Sequence, residues 1–91
     1  MAKQRKSVLT EAESLVNGPR QAAYGSPADN FSRWRDMCRA TGRPGLADVT
    51  AEDLAVAMVL LKIARDTGSP KRDNAVDGAG YFDVLDQVRG L

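Results

Sequence analysis

Two acidic and two basic residues stand at helical spacing in the second half of the chain, where they can act on one ligand. Asp73 and Asp77 are four residues apart, so at about 100° per residue they share one face of a helix. Lys62 and Arg65 share a face of the preceding helical segment. Paired carboxylates suit a divalent cation such as Mg²⁺, and lysine and arginine suit phosphate groups. The pattern therefore indicates a site for a charged ligand.

A short turn is expected to bring these residues together. The segment 67–70 contains Gly68, Ser69 and Pro70, which end one predicted helix just before the next begins. So short a turn forces the two helices into an antiparallel hairpin. Counting outward from the turn pairs Lys62 with Asp77 and Arg65 with Asp73.

Further polar side chains are expected at the same end of the molecule. With short up-down connections, the start of the second predicted helix lies beside the turn. The residues added to the cluster in this way are Arg20, Tyr24, Asn30, Asn74 and Tyr81. Asparagine suits a base edge or a sugar hydroxyl, and tyrosine can stack on a planar ring. Glu11 in the first predicted helix is the next acid that can face inward and join Asp73 and Asp77 as a metal ligand.

The sequence leaves two interpretations of this cluster open. In the first, the cluster is a pocket for a small, charged, planar ligand of the nucleotide type. In the second, it is a buried ion-pair cluster that fixes the register of the helices at little net stability. Gly78 and Gly80 favour a site, because each costs a helix interior up to about 1 kcal/mol relative to alanine.

The elements that must position these residues are all predicted to be helical. Four helices are expected, at about residues 7–17, 27–41, from Thr50 to the break at Gly68, and 71–89. The stretch from residue 20 to 25 is expected to be a connection. The third helix carries Leu54 to Leu61, which is apolar on nearly every side and predicts a central helix. The expected fold is an all-α, small four-helix bundle.

Composition and charge narrow the functional classes. A chain of 91 residues builds a marginal core, which favours completion of the bundle by dimerisation. Net charge +1 gives no general attraction to nucleic acid or membrane, and no apolar run approaches the roughly 20 residues of a membrane span. The chain has no histidine, which removes the commonest general base. Residues 1–6 are predicted to be a flexible basic tail, and residues 7–91 a single all-helical domain.

The chain resembles a family of small, functionally uncharacterised proteins in the order of its motifs. Members of that family are common in tailed phages and prophages. The resemblance extends over about residues 8 to 85. The motifs that carry it are Glu11-Ala12, Leu15-Val16, Arg20, Tyr24-Gly25-Ser26-Pro27, Asn30-Phe31, the run from Met58 to Arg65, Asp73-Asn74, Asp77 and Gly80-Tyr81. The resemblance implies a protein that acts in the cytoplasm of an infected bacterial host.

More distantly, the layout is similar to the MazG-like and dimeric dUTPase superfamily of all-α nucleoside triphosphate pyrophosphohydrolases. That resemblance implies cleavage between the α and β phosphates, Mg²⁺ held by Glu and Asp from two helices, and assembly as dimers or tetramers. Asp73 and Asp77 match the second acidic motif, and Lys62 and Arg65 match residues that contact phosphates. The first acidic motif, E-E-x-x-E, is not matched, because only Glu11 and Glu13 are available, at a different spacing.

Three functions follow as alternatives. The first is a Mg²⁺-dependent pyrophosphohydrolase acting on a nucleotide. The second is a non-catalytic accessory protein that sequesters a nucleotide or binds a host protein. In that case Phe82, on an outward stripe of the last helix with Ala75 and Ala79, is a candidate contact for a partner or for a second copy. The third, and minor, alternative is nucleic-acid binding through the basic tail and the arginines at 33, 35 and 39, which are otherwise expected to form a solvated face.

Overall fold

The computed structural model describes residues 6–90, which form helices and short connections with no strand in that range. The helices are α1 (Val8–Asn17), α2 (Pro19–Tyr24), α3 (Pro27–Ala40), α4 (Ala51–Gly68) and α5 (Arg72–Arg89). The predicted all-α fold is confirmed. Most of the predicted tail, residues 1–5, lies outside the described residues. The backbone oxygen of Lys6 accepts a hydrogen bond from Arg72 Nη2 at 2.8 Å.

The helices α1, α3 and α4 begin close to where the sequence predicts, because the side chains of Ser7, Ser26 and Thr50 cap their starts. The Ser26 hydroxyl accepts a hydrogen bond from the Asp29 amide, and Pro27 follows as the first residue of α3. At the start of α4, Thr50 and Asp53 each accept a hydrogen bond from the other's backbone amide, both at 3.0 Å. This reciprocal capping box satisfies two amides that have no partner within the helix.

The expected connection at residues 20–25 is instead the short helix α2. Pro19 stands at its first position, where a fixed φ and a missing N–H are compatible with a helix. Gly18 marks the break between α1 and α2, and a Cβ at this position would collide with the backbone oxygen of Ser14. The sequence Gly-Pro therefore ends one helix and starts another, which places Arg20 and Tyr24 on a helix instead of in a loop.

The central position in the packing belongs to α5, which contacts α1, α3 and α4. Ala55, Val84 and Leu85 form the centre of the core, with Phe31 and Tyr81 among the side chains packed against it. The prediction that the helix carrying Leu54 to Leu61 is central is wrong. Only one side of α4 is buried, while Leu60 and Ile63 are 58% and 57% exposed.

The helices of residues 6–90 include none that is long and apolar enough to cross a membrane.

Candidate functional site

A cavity of about 280 Å³ opens between α1, α2, α3 and α5. Its floor is apolar and includes the buried residues Ala12, Val76 and Val84. Its walls carry polar and aromatic side chains: Arg20, Gln21, Tyr24, Asn30, Asp77 and Tyr81. An apolar concave surface with a few convergent polar groups is the usual form of a small-molecule site, and the volume of about 280 Å³ lies just below the roughly 300–1,000 Å³ found for such sites.

Local helix geometry places these polar groups around one opening. Arg20, Gln21 and Tyr24 come from α2, whose break from α1 turns it over the cavity. Asn30 lies in the first turn of α3, directly after the Ser26 cap. Asp77 and Tyr81 are four residues apart on α5 and therefore share a face. Five of the residues predicted for the site thus line one cavity.

The floor of the cavity depends on a close approach between α1 and α5. Gly80 is buried, and a Cβ at this position would stand 3.1 Å from Val16 Cγ2. That separation is tighter than ordinary van der Waals contact. Gly80 therefore lets Val16 lie directly against the backbone of α5 beneath the cavity, which gives this helix glycine a packing role.

The polar side chains of the walls remain available for a ligand. Gln21 and Asn30 are half-buried, and neither side-chain amide hydrogen-bonds to any residue between 6 and 90. The same holds for the hydroxyls of Tyr24 and Tyr81 within the described part of the chain. No buried side-chain N or O atom of residues 6–90 lacks a hydrogen-bond partner, so these amides reach solvent, where water or a ligand can complete their hydrogen bonds.

Asp77 is the carboxylate of the cavity, and its charge is already paired. Lys62 Nζ lies 3.1 Å from Asp77 Oδ2, which confirms the predicted contact across the α4–α5 hairpin. The Lys62 side chain is 13% exposed and that of Asp77 is 38% exposed. Lys62 does not line the cavity itself. The pair therefore leaves the cavity wall close to neutral at this point.

The second predicted pair, Arg65 with Asp73, is wrong, since both side chains are exposed and no ion pair joins them. Asp66 takes the inward position in its place, because it lies four residues after Lys62 and shares its face. Its Oδ1 accepts hydrogen bonds from the Lys71 amide at 3.1 Å and from Asn74 Nδ2 at 3.3 Å. The turn is therefore closed by a carboxylate cap.

Asn74 and Glu11 have structural partners away from the cavity. Asn74 Nδ2 also donates to the backbone oxygen of Ser69 at 3.4 Å, which ties it to the turn. Glu11 Oε2 accepts from Arg72 Nη2 at 2.7 Å and so links α1 to the start of α5. Neither residue lines the cavity, and the same is true of Lys62, Arg65 and Asp73.

The carboxylates do not fit a resident Mg²⁺ ion. Asp73 is exposed, Asp77 is paired with Lys62, and Glu11 is paired with Arg72. Between residues 6 and 90 there is no group of three or more Asp, Glu, His or Cys side chains that could hold a metal. Mg²⁺ usually needs carboxylates together with phosphate oxygens to complete its octahedral shell.

The sequence prediction misses one residue that lines the cavity, Gln21, and one that lies beside a lining residue, Arg33. Arg33 is exposed and does not line the cavity, but its Nη2 lies 3.5 Å from the position that a Cβ on Gly25, a lining residue, would occupy. Arg33 is expected from the sequence to be part of a solvated face. Its spacing of three residues from Asn30 is the signal that could have identified it, because the two share a helix face.

Comparison with known proteins gives a consistent family match. A profile described as "Domain of unknown function (DUF6378)" matches residues 7–89. The "Gene 55 protein" of Mycobacterium phage L5 is 41% identical over 85 residues, covering 91% of this chain and 53% of the relative. The "Gene 55 protein" of Mycobacterium phage D29 is 33% identical over 84 residues, covering 91% of this chain and 54% of the relative. The chain spans about half the length of these curated relatives. No solved structure matches it.

Proposed function

The chain belongs to the DUF6378 family, a family with phage members, and we propose that it binds a nucleotide in the cavity between α1, α2, α3 and α5 without hydrolysing it. The observation that carries this proposal is the convergence of polar side chains from α2, α3 and α5 on one apolar-floored cavity of about 280 Å³. Binding without turnover would make the protein an accessory factor that sequesters its ligand. It would act where the nucleotide pool is, in the cytoplasm of the infected host.

The walls of the cavity offer the contacts that a nucleoside needs. The amides of Gln21 and Asn30 each provide two donors and one acceptor oxygen, which suits a base edge or a sugar hydroxyl. Phe31 and Tyr81 supply aromatic surface against which a planar base can pack. Base–aromatic stacking is worth about 1–3 kcal/mol per base in single-stranded nucleic-acid complexes. The apolar floor excludes water from the face of the base.

The charges around the cavity fit a monophosphate better than a triphosphate. Arg20 lines the cavity, and Arg33 lies beside the lining residue Gly25, so two guanidinium groups can meet a phosphate that extends from the cavity. Lys62 is committed to Asp77, and Arg65 does not line the cavity. A phosphate monoester carries about −1.5 to −2 charge at pH 7, which two arginines balance. A triphosphate would bring more negative charge than these residues can neutralise.

A Mg²⁺-dependent pyrophosphohydrolase of the MazG-like type is the alternative within this proposal. Hydrolysis of this kind relies on a metal ion to activate water and to stabilise the charge on the phosphates. The carboxylates of residues 6–90 supply too few ligands in one place for that role. We therefore propose binding as the function, and any Mg²⁺ in the cavity would enter as part of the nucleotide complex.

A thermal-shift and calorimetric panel tests the proposal. Nucleosides, nucleoside monophosphates and triphosphates would each be added with and without Mg²⁺, followed by chromatography for products. We expect a monophosphate to stabilise the protein by roughly 2.7 kcal/mol at about 100 times its dissociation constant, with no product formed. Absence of a shift with every nucleotide would refute nucleotide binding. Release of pyrophosphate would show that the protein hydrolyses the nucleotide and does not only sequester it.

A further inference from the structure

Asp77 is the only acid among the described residues that line the cavity between α1, α2, α3 and α5. Its partner Lys62 approaches from a different side of α5, because Lys62 lines a separate groove between α4 and α5 and does not line the cavity. Lys62 Nζ contacts Oδ2 of Asp77 at 3.1 Å. The other carboxylate oxygen, Oδ1, accepts no hydrogen bond from residues 6–90 and is not buried, so it can meet a ligand.

The ion pair allows a carboxylate to stand in a site for an anionic ligand. An unpaired carboxylate would repel a phosphate group. The ammonium group of Lys62 offsets the charge of Asp77 from outside the cavity, whereas Arg20 supplies positive charge from α2, a different wall. Charges of opposite sign on different walls orient a ligand. The phosphate is therefore expected at Arg20, and a neutral, hydrogen-bonding part of the ligand at Asp77.

The chemistry of a carboxylate limits the groups that can face Asp77. An ionised carboxylate only accepts hydrogen bonds, and its two oxygens can take two neighbouring N–H groups together. The Watson–Crick edge of guanine carries two such neighbours, the ring N1–H and the exocyclic 2-amino group. On adenine, cytosine and uracil, the donor of this edge is flanked by a ring nitrogen or a carbonyl oxygen, and an acceptor that faces a carboxylate leaves both groups without a proton donor. Guanine is therefore the base whose edge fits Asp77.

Tyr81 lies beside Asp77 and can complete the contact with guanine. The two residues are four positions apart on α5 and both line the cavity, so their side chains are neighbours on one helix face. The Tyr81 hydroxyl forms no hydrogen bond within the described part of the chain, and it can donate to the O6 carbonyl of guanine, which is next to N1–H. Because a hydroxyl can donate or accept, Tyr81 tolerates several bases. The choice of base therefore depends on Asp77.

We propose that Asp77 selects a guanine nucleotide, with its carboxylate accepting hydrogen bonds from N1–H and the 2-amino group of the base. Oδ1 takes one of these donors, and Oδ2 takes the other with the lone pair that Lys62 leaves unused. This proposal rests on the nucleotide binding proposed above and names the base. Lys62 is then a positioning residue, because it holds the carboxylate of Asp77 in place without touching the ligand.

Isothermal titration calorimetry of the wild-type chain with the monophosphates GMP, IMP, AMP, CMP and UMP tests the choice of base. We expect GMP to bind at least about ten-fold more tightly than AMP, CMP and UMP, since these lack the paired donors. IMP keeps N1–H and O6 but lacks the 2-amino group, and it should bind about ten-fold more weakly than GMP, the loss of one hydrogen bond to a charged group. Equal affinity for GMP and IMP, or tighter binding of another base, overturns the proposal while nucleotide binding stands. Absence of binding by every monophosphate overturns both.

An Asp77→Asn variant tests the role of the carboxylate through a change of preference. The asparagine amide replaces one acceptor with an N–H donor. Xanthosine monophosphate (XMP) carries a carbonyl oxygen at position 2, where GMP carries the amino group. The variant should therefore bind XMP at least about ten-fold more tightly than GMP, whereas the wild type should show the reverse order. Loss of the ion pair with Lys62 alone would weaken the binding of every nucleotide and would not reverse this order.

Asp86→Asn is the matched control, because Asp86 is exposed on α5 and does not line the cavity. It should keep the wild-type preference for GMP. Far-UV circular dichroism checks that both variants fold. A folded Asp77→Asn that still prefers GMP overturns the proposal, and if this variant does not fold, the comparison of GMP with IMP on the wild type decides it.

Discussion

Lys62 Nζ lies 3.1 Å from Asp77 Oδ2 and joins α4 to α5 next to the wall of the cavity. The Lys62 side chain is the more buried of the two, at 13% exposed, so its ammonium group depends on this carboxylate. Removal of one partner would leave a charge with reduced access to water. The pair therefore fixes the register of the hairpin and sets the charge of the cavity at the same time.

A double-mutant cycle on this pair measures its contribution. We expect Asp77→Asn to lower the free energy of unfolding by about 1–2 kcal/mol, between the values for exposed and buried pairs. Lys62→Met with Asp77→Asn should cost less than the sum of the two single changes, because no charge is left unpaired. Urea denaturation of the four proteins gives the coupling energy. A coupling energy near zero would show that the contact adds nothing.

The two glycines of α5 are expected to respond in opposite ways to alanine. A Cβ on Gly78 would have Lys62 Cβ as its nearest neighbour at 3.9 Å, so Gly78→Ala fits and should gain about 0.5–1 kcal/mol of helix propensity. A Cβ on Gly80 would stand 3.1 Å from Val16, whose branched side chain has little rotamer freedom.

We therefore expect Gly80→Ala to be less stable than Gly78→Ala by about 1–2 kcal/mol, as measured by thermal and urea unfolding. The same change on the same helix makes each variant the control for the other. Equal stabilisation by both substitutions would mean that Val16 moves freely and that α1 is not held against Gly80.

The arginines at the cavity are expected to select for phosphate. We expect Arg20→Ala and Arg33→Ala each to weaken binding of a nucleoside monophosphate by about ten-fold, the loss of one charge-assisted hydrogen bond of about 1.4 kcal/mol. Binding of the corresponding nucleoside should change little.

Arg43→Ala is the matched control, because Arg43 is exposed in the connection after α3, at the far end of that helix from Asn30. Isothermal titration calorimetry gives the affinities. The fluorescence of Trp34 gives a second readout, since its ring packs edge-on to Phe31 of the cavity with a centroid distance of 5.5 Å. If the arginine substitutions weakened the binding of nucleoside and monophosphate equally, the arginines would not contact the phosphate.

The capping box of α4 is expected to contribute measurably to stability. Thr50→Ala removes the acceptor for the Asp53 amide and should cost about 1 kcal/mol. Thr10→Ala makes the same chemical change at an exposed position of α1 and should stay within about 0.5 kcal/mol of the wild type. Chemical denaturation compares the two. A Thr50→Ala variant as stable as Thr10→Ala would contradict the role of the cap.

Local signals in the sequence were sufficient for the starts of α3 and α4 and for one ion pair. Ser26 and Thr50 act through neighbours within three residues, and Lys62 meets Asp77 because a short turn leaves the hairpin one register. The sequence-based predictions failed where tertiary packing determines the position of a side chain. The Arg65–Asp73 pair was expected from counting alone, but helix rotation carries both side chains into solvent.

The position of the apolar run on α4 shows a second limit of sequence reasoning. A helix that is apolar on nearly every side predicts burial, but the pattern does not distinguish burial within one chain from burial against another. Leu60 and Ile63 are exposed in the single chain, and α5, which carries more charge, is the central helix. Gln21 could not be identified because the break at Gly18 and Pro19 hid a helix that turns toward the cavity.

The short helix α2 gives the cavity one wall of low local stability. It has six residues and no buried side chain, and an isolated helix of that length does not persist in water. Arg20, Gln21 and Tyr24 are all carried on it. Backbone amides in this segment should therefore exchange with solvent deuterium sooner than those of α5. A ligand that these side chains hold would order the segment as it binds, so its affinity would be reduced by the loss of conformational entropy, and amide exchange in α2 would become slower.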